Sequence, residues 1–141
     1  MLARAGVSID RNTLIDLFHR VAREVRPIYL RLWELVRQEG VVYADETTLK
    51  VQDPGAGKCK TGWMWTFVSE KMALYVYKDT RSGRVPAEVL GDSAGWLVAD
   101  GYRGYNEAIE QGGRTRAGCW AHVRRKFWPT LETDGKAAAE H

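Results

Sequence analysis

Two aspartates occupy positions suited to metal-assisted chemistry. Asp45 sits inside a run of alternating polarity, and Asp100 closes the apolar run Trp96-Leu97-Val98-Ala99, just before Gly101. In open α/β sheets, sites lie beyond the carboxyl ends of strands, so neighbouring strands would bring the two carboxylates together. Paired carboxylates without His or Cys ligands suit a hard, oxygen-preferring cation such as Mg²⁺ or Mn²⁺. Two such ions about 3.5–4 Å apart can clamp the attacking and leaving oxygens of a phosphodiester. The plainer alternative is a capping aspartate before Gly101 and an unrelated acid at Asp45.

Further along, Cys119-Trp120-Ala121-His122 looks like half of a metal site. A structural zinc site takes about four ligands, and Cys59, His19 and His141 have no fitting context. A buried cysteine beside an oriented histidine is the better account. The segment 114–128 holds five basic residues (Arg114, Arg116, Arg124, Arg125, Lys126) and no acid, so the rest of the chain is slightly negative. Such a patch is compatible with a polyanionic partner and also with a solvated helix face. His122 and Lys126 are four apart and share a helix face, with Arg124 and Arg125 flanking the Val123–Phe127 stripe. Arg81 and Arg84 are weaker candidates for the same partner.

The elements that must position these groups follow from periodicity. Leu14, Leu17, Phe18, Val21 and Val25 lie on one helical face, and Asp10 or Asn12 can cap that helix. Pro27 interrupts, so residues up to Gly40 form one kinked helix or two, with apolar faces that need packing partners. Alternation over Val41–Val51 indicates a strand with its odd positions buried, which puts Asp45 among buried side chains and Glu46 on the other face, in a structural role. A turn at Asp53–Gly57 precedes strands at Trp63–Ser69 and Met72–Lys78. A short helix follows at Arg84–Leu90, with Ser82 as cap and Pro86 in its first turn. Trp96–Ala99 reads as a strand covered on both faces. A brief helix at Tyr105–Gln111 and a strand at Thr115–Cys119 come next, then a helix carrying Trp120, Val123, Phe127 and Leu131. The six tryptophans (Trp33, Trp63, Trp65, Trp96, Trp120, Trp128) mostly suit packing. The fold class is α/β, a mixed sheet of three antiparallel strands followed by α-β units, with an N-terminal helical segment at 1–40 and a core at 41–141.

Composition bounds the rest. The chain has 141 residues, a formal charge of +3 and 45% hydrophobic residues, which suits one folded domain and excludes a disordered chain. No run approaches the ~18 apolar residues of a membrane span, and Met1–Gly6 lacks a secretory signal's apolar stretch. Two cysteines cannot form a disulfide framework. A soluble, cytoplasmic protein is expected.

Four motifs, in order, carry a resemblance. They are Ala44-Asp45-Glu46-Thr47, Gly62-Trp63-Met64-Trp65, Asp100-Gly101-Tyr102-Arg103-Gly104-Tyr105 and Gly118-Cys119-Trp120-Ala121-His122-Val123-Arg124-Arg125-Lys126-Phe127. From about Gly6 to about Leu131 the chain resembles the central domain of transposases of the insertion sequence 66 family. The resemblance implies a ribonuclease-H-like fold and DDE-type chemistry, with Asp45 and Asp100 as the first two catalytic acids and metal ligands. It further implies two Mg²⁺ or Mn²⁺ ions and a DNA partner, contacted by His122, Arg124, Arg125 and Lys126, and it allows a homo-oligomer. The family's third acid, a glutamate on a later helix, is expected beyond His141, since Glu132, Asp134 and Glu140 match no motif. Pro129 is expected to end or kink the last helix. A catalytically incomplete core is expected, with a non-catalytic DNA-binding or dimerisation remnant as the alternative.

Overall fold

A computed structural model describes residue 6, residues 9–53 and residues 55–127. In chain order its elements are α1 (Arg11–Gln38), β1 (Val41–Asp53), β2 (Lys58–Val68), β3 (Ala73–Lys78), α2 (Arg84–Leu90), β4 (Ala94–Ala99), a 3₁₀ turn (Arg103–Tyr105), α3 (Asn106–Gln111) and β5 (Gly113–Gly118). Residues 120–127 form a last helix, α4. Pro129, Leu131 and the acids Glu132, Asp134 and Glu140 lie outside the described residues, as do Trp128 and His141. No described helix is long and apolar enough to cross a membrane.

α1 is one helix of 28 residues that runs through Pro27. Proline there removes a single backbone bond, the one to the carbonyl of Arg23. Asp10 is the cap, its Oδ2 accepting from the Asn12 amide at 2.9 Å. The expected packing of the N-terminal stripe is not found: Leu14, Leu17, Phe18, Val21 and Val25 are exposed, and Val36 is the buried residue of α1. Length explains this. A helix of this size is roughly 42 Å long, whereas the six-residue strands β3, β4 and β5 span about 20 Å. Tyr29, Leu32 and Trp33 reach the core, and the part before them projects past it.

The five strands form one sheet in the order β3-β2-β1-β4-β5. β1–β2 and β2–β3 are antiparallel, while β1–β4 and β4–β5 are parallel. This is the expected mixed sheet. The first hairpin is longer than expected, with β2 starting at Lys58 and register continuous from Tyr43↔Val68 to Asp53↔Lys58. β3 pairs with β2 only from Trp63 onward, and β4 pairs with β1 only over Val41–Tyr43. The hairpin's outer end is therefore a two-stranded ribbon.

The parity of β1 is the reverse of that expected. Val42 and Ala44 are buried and Tyr43 is exposed. Val41–Ala44 is apolar at both parities, so alternation did not choose a face. The choice falls to the neighbours: Trp65, Phe67, Leu97 and Ala99 form the inner face with Val42 and Ala44, and Val36, Val89, Leu90, Tyr105 and Ala108 pack over it. The outer face carries Val41, Tyr43, Tyr75, Tyr77 and Trp96, all exposed. Among the described residues β4 is thus fully covered on one side only, with Trp96 exposed and Val98 half-buried on the other. Trp65 is fully buried and Trp33 and Trp63 partly so, but Trp96 and Trp120 are exposed, so packing accounts for only some of the tryptophans.

One clasp joins α1 to the sheet. Gly95 has φ +122° and meets the Gly40 carbonyl so closely that a Cβ would collide with it. That carbonyl accepts from the Trp96 amide at 2.8 Å. Opposite Gly95 in the β4–β5 pairing stands Arg114, which is buried. Its Nη2 donates to the carbonyls of Arg37 and Glu39 at 3.2 and 3.0 Å, and its Nε to Ser93 Oγ at 2.9 Å. Helix C-termini leave carbonyls without intrahelical partners, and Arg114 supplies the donors. Burial lowers its pKa from the usual arginine value. One member of the basic segment is therefore structural.

Candidate functional site

β1 and β4 run parallel with Tyr43 opposite Val98. The pairing ends there; extended by two residues, the same register would set Asp45 opposite Asp100, which follows the end of β4. Register-matched residues on parallel neighbours point to one side of strands about 4.8 Å apart. Here it is the outer face, and the Asp45 side chain is 57% exposed rather than buried as the expected parity required. Asp45 therefore carries no large desolvation cost. Asp100 caps its own turn, with Oδ1 accepting from the Tyr102 amide at 2.9 Å, while its carbonyl accepts from Arg116 Nη2. The capping alternative is thus correct as far as it goes, and Asp100 still lines the groove.

α4 closes this region. His122 Nε2 lies 3.7 Å from Asp45 Oδ2 and 3.5 Å from Arg125 Nη2. Its Nδ1 is buried without a hydrogen-bond partner among the described residues. An open groove of about 1030 Å³ is bordered by Asp100, Arg81, Arg116, His122, Arg125 and Lys126. A smaller depression of about 200 Å³ adjoins it, bordered by Asp45, Tyr43, His122 and Arg125. His122 and Arg125 line both, as does Cys119, which is half-buried. Arg124 is on α4 but lines neither. Arg116, like Arg114, is engaged with the fold, bonding Asn106 Oδ1 at 2.7 Å and the Tyr102 carbonyl at 3.0 Å.

No group of three or more His, Cys, Asp or Glu side chains able to hold a metal occurs among the described residues. Two carboxylates on one face do suit Mg²⁺, which keeps several waters and takes one or two carboxylates together with substrate phosphates.

Directly behind Asp45 lies a network that sequence reading left out. Glu46 points inward with its side chain 2% exposed. Arg81 donates to its Oε1 from Nε and Nη2 at 2.9 and 2.6 Å, and the Tyr105 hydroxyl donates to its Oε2 at 2.5 Å. The Arg81 guanidinium stacks 4.0 Å from the Tyr102 ring centroid and 5.0 Å from that of Trp63. The Tyr102 hydroxyl donates back to the Arg81 carbonyl at 2.5 Å. The hydrogen bond to Glu46 raises the Arg81 pKa most. Space is tight between these loops: a Cβ at Gly83 would stand 2.5 Å from the Gly104 carbonyl oxygen. The four residues tie β1 at Glu46 to the turn that follows Asp100. The available signal was Glu46 itself, an acid next to a strand aspartate, with Tyr102 and Tyr105 after Asp100.

Tyr105 gives this network a pH signature. Burial raises its pKa above the usual 10.0, and the bond to Glu46 and the nearby carboxylates add to the shift. A group whose folded pKa is raised contributes stability that is intact below its unfolded pKa and is lost as pH rises towards the folded value. Urea midpoints are expected to fall from about pH 9 to about pH 11, and to fall less in Tyr105→Phe. Equal losses in the two proteins would remove Tyr105 as the cause.

Fold and site together define an α/β domain with one aspartate exposed on β1 and a second in the turn that follows the adjoining parallel β4, edged by a basic helix. The chain belongs to the transposase IS66 family, whose model matches residues 1–141. It is similar to two proteins of Sinorhizobium fredii (strain NBRC 101917 / NGR234). Uncharacterized protein y4qI is 31% identical over 141 residues, covering 89% of this chain and 26% of that protein. Uncharacterized protein y4jD is 29% identical over 154 residues, covering 99% of this chain and 30% of that protein. The chain spans less than a third of the length of either relative.

Proposed function

We propose that the chain is the catalytic core region of a DDE-type DNA transposase, built on a ribonuclease-H-like sheet. Asp45 and Asp100 are its first two catalytic acids and hold two Mg²⁺ or Mn²⁺ ions. The parallel pairing of β1 with β4, which sets the strand carrying Asp45 beside the strand that ends just before Asp100, is the observation that carries the assignment. The sheet order and its single change from antiparallel to parallel pairing agree with such a fold. When bound, the ions would acidify a water or a DNA 3′-hydroxyl and neutralise charge on the leaving oxygen. The protein's own part is positional. Asp100 is held by its turn, Asp45 by the strand, and His122, Arg125 and Lys126 flank them where a DNA backbone would lie. Phosphate contacts of this kind add affinity without reading sequence.

A third carboxylate would come from outside the described residues. A second reading, for the isolated chain, is that of a non-catalytic DNA-binding fragment. Strand transfer with Mn²⁺ and terminal-repeat DNA separates the two. Activity is expected of a polypeptide of the relatives' length and not of the 141-residue chain. Activity of the chain alone would overturn the incomplete acid set, and inactivity of the longer polypeptide would overturn the transposase assignment.

Both versions require DNA binding through α4. The double change Arg125→Ala and Lys126→Ala is expected to flatten the slope of log K against log salt by about 1.8 on duplex DNA, about 0.9 per phosphate contact. An unchanged slope would reduce both residues to surface charge.

A further inference from the structure

Strand pairing does not fix the spacing of Asp45 and Asp100. The β1–β4 ladder stops at Tyr43↔Val98, short of both aspartates. Past that point the connection among the described residues runs through side chains. Each carboxylate is held first by a nearby amide. Asp45 Oδ1 accepts from the Glu46 amide at 3.0 Å, and Asp100 Oδ1 accepts from the Tyr102 amide at 2.9 Å. Glu46 and Tyr102, which supply those amides, are the two residues that Arg81 joins. Its Nε and Nη2 donate to Glu46 Oε1. Its carbonyl accepts from the Tyr102 hydroxyl, and its guanidinium lies over the Tyr102 ring. A continuous path therefore leads from one carboxylate to the other, crossing from β1 to the turn at Arg81. The Tyr105 hydroxyl braces Glu46 through its other oxygen.

We propose that Arg81 is a positioning residue, setting the spacing of the Asp45 and Asp100 carboxylates towards a divalent cation through Glu46 and Tyr102. The inference rests on the metal role proposed above for the two aspartates. Arginine suits the position because its planar fork donates twice to one carboxylate while its face stacks on an aromatic ring; lysine has the charge without the plane. The Arg81 side chain is 43% exposed and borders the groove beside Asp100, so it can be changed with little loss of packing. With Nε and Nη2 committed to Glu46, its charge is met within the fold, which sets it apart from a phosphate contact.

The test is Mn²⁺ binding to the 141-residue chain, read from the electron paramagnetic resonance of free Mn²⁺. Titration runs to about 10 mM, some ten times the weakest constants of oxygen-ligand sites. Binding is expected in the parent and lost in Asp45→Asn. Arg81→Lys is expected to weaken it about tenfold, the low end for groups that orient metal ligands, and to leave the salt slope of DNA binding unchanged. Val89→Ala, in the core and outside this path, lowers the urea midpoint and is expected to leave Mn²⁺ affinity within about twofold. A parent that binds no Mn²⁺, or an Asp45→Asn variant that still binds it, would overturn the metal role and the positioning role together. Loss in Asp45→Asn with less than about threefold weakening in Arg81→Lys would overturn the positioning role alone. Equal weakening in Arg81→Lys and Val89→Ala would do the same, by making folding stability the cause. A flattened salt slope in Arg81→Lys would make Arg81 a DNA contact instead.

Discussion

Asp45→Asn and Asp100→Asn are each expected to lower metal-dependent DNA cleavage and strand transfer by about a thousandfold, roughly 4 kcal/mol of transition-state stabilisation. The assay belongs on a polypeptide of the relatives' length, since the chain covers 26% and 30% of two of them. Asparagine keeps the shape of the side chain and removes its charge, so a metal held as proposed would lose an anionic ligand while the backbone stays in place. Asp45 is the cleaner of the two probes. Its side chain is 57% exposed, so the substitution is expected to leave thermal stability within about 0.5 kcal/mol of the parent. Removing a negative charge beside His122 and Arg125 does not weaken attraction for a polyanion, so DNA binding is expected to hold or tighten. Asp100→Asn carries a larger structural component, because its carboxylate caps the Tyr102 amide. A loss of less than about tenfold at Asp45 would remove it from the catalytic set.

Glu46→Ala is expected to cost about 3 kcal/mol of folding free energy, taking the low end for breaking a buried charged pair. The low end applies because the Arg81 side chain is 43% exposed, so solvent recovers part of what it loses. The larger penalty falls on the Tyr105 hydroxyl, in a fully buried residue that loses its acceptor. In a chain of this size such a loss lowers the melting temperature by about 10 °C. Urea unfolding followed by tryptophan fluorescence measures it, with Trp65 fully buried and Trp63 beneath Arg81 as local reporters. A double-mutant cycle with Arg81→Ala isolates the pairwise part. Additive losses, or a loss below about 1 kcal/mol, would show that Glu46 does not hold the two loops together.

Much of the fold was readable because local chemistry and tertiary structure agree. The Asp10 cap, the break at Gly40, the hairpin, and the α2 and β5 segments follow from side-chain periodicity and turn residues. What was not readable depended on neighbours distant in sequence. The face of β1 was open because Val41–Ala44 is apolar at both parities, and Trp65, Leu97 and the helices above them decided it. Glu46 and Asp45 exchanged environments as a result. The basic segment looked uniform by charge, yet Arg114 and Arg116 are drawn in by backbone carbonyls at α1 and beyond β4, leaving α4 to carry the groove. The stripe on α1 was correctly seen as apolar, but helix length relative to strand length left it without a cover from its own domain.

The long first hairpin makes stability uneven along the chain. Before Trp63 in β2 the ribbon has no third strand among the described residues, and an isolated two-stranded ribbon is marginal in water. Amides near Lys50 and Lys60, register partners in that ribbon, can exchange with solvent by unzipping from the turn, at small local cost. Those of Val42 and Leu97 sit in the fully buried core and exchange only when the whole sheet opens. A free energy of unfolding measured on this protein therefore describes its body, and the ribbon keeps an equilibrium of its own.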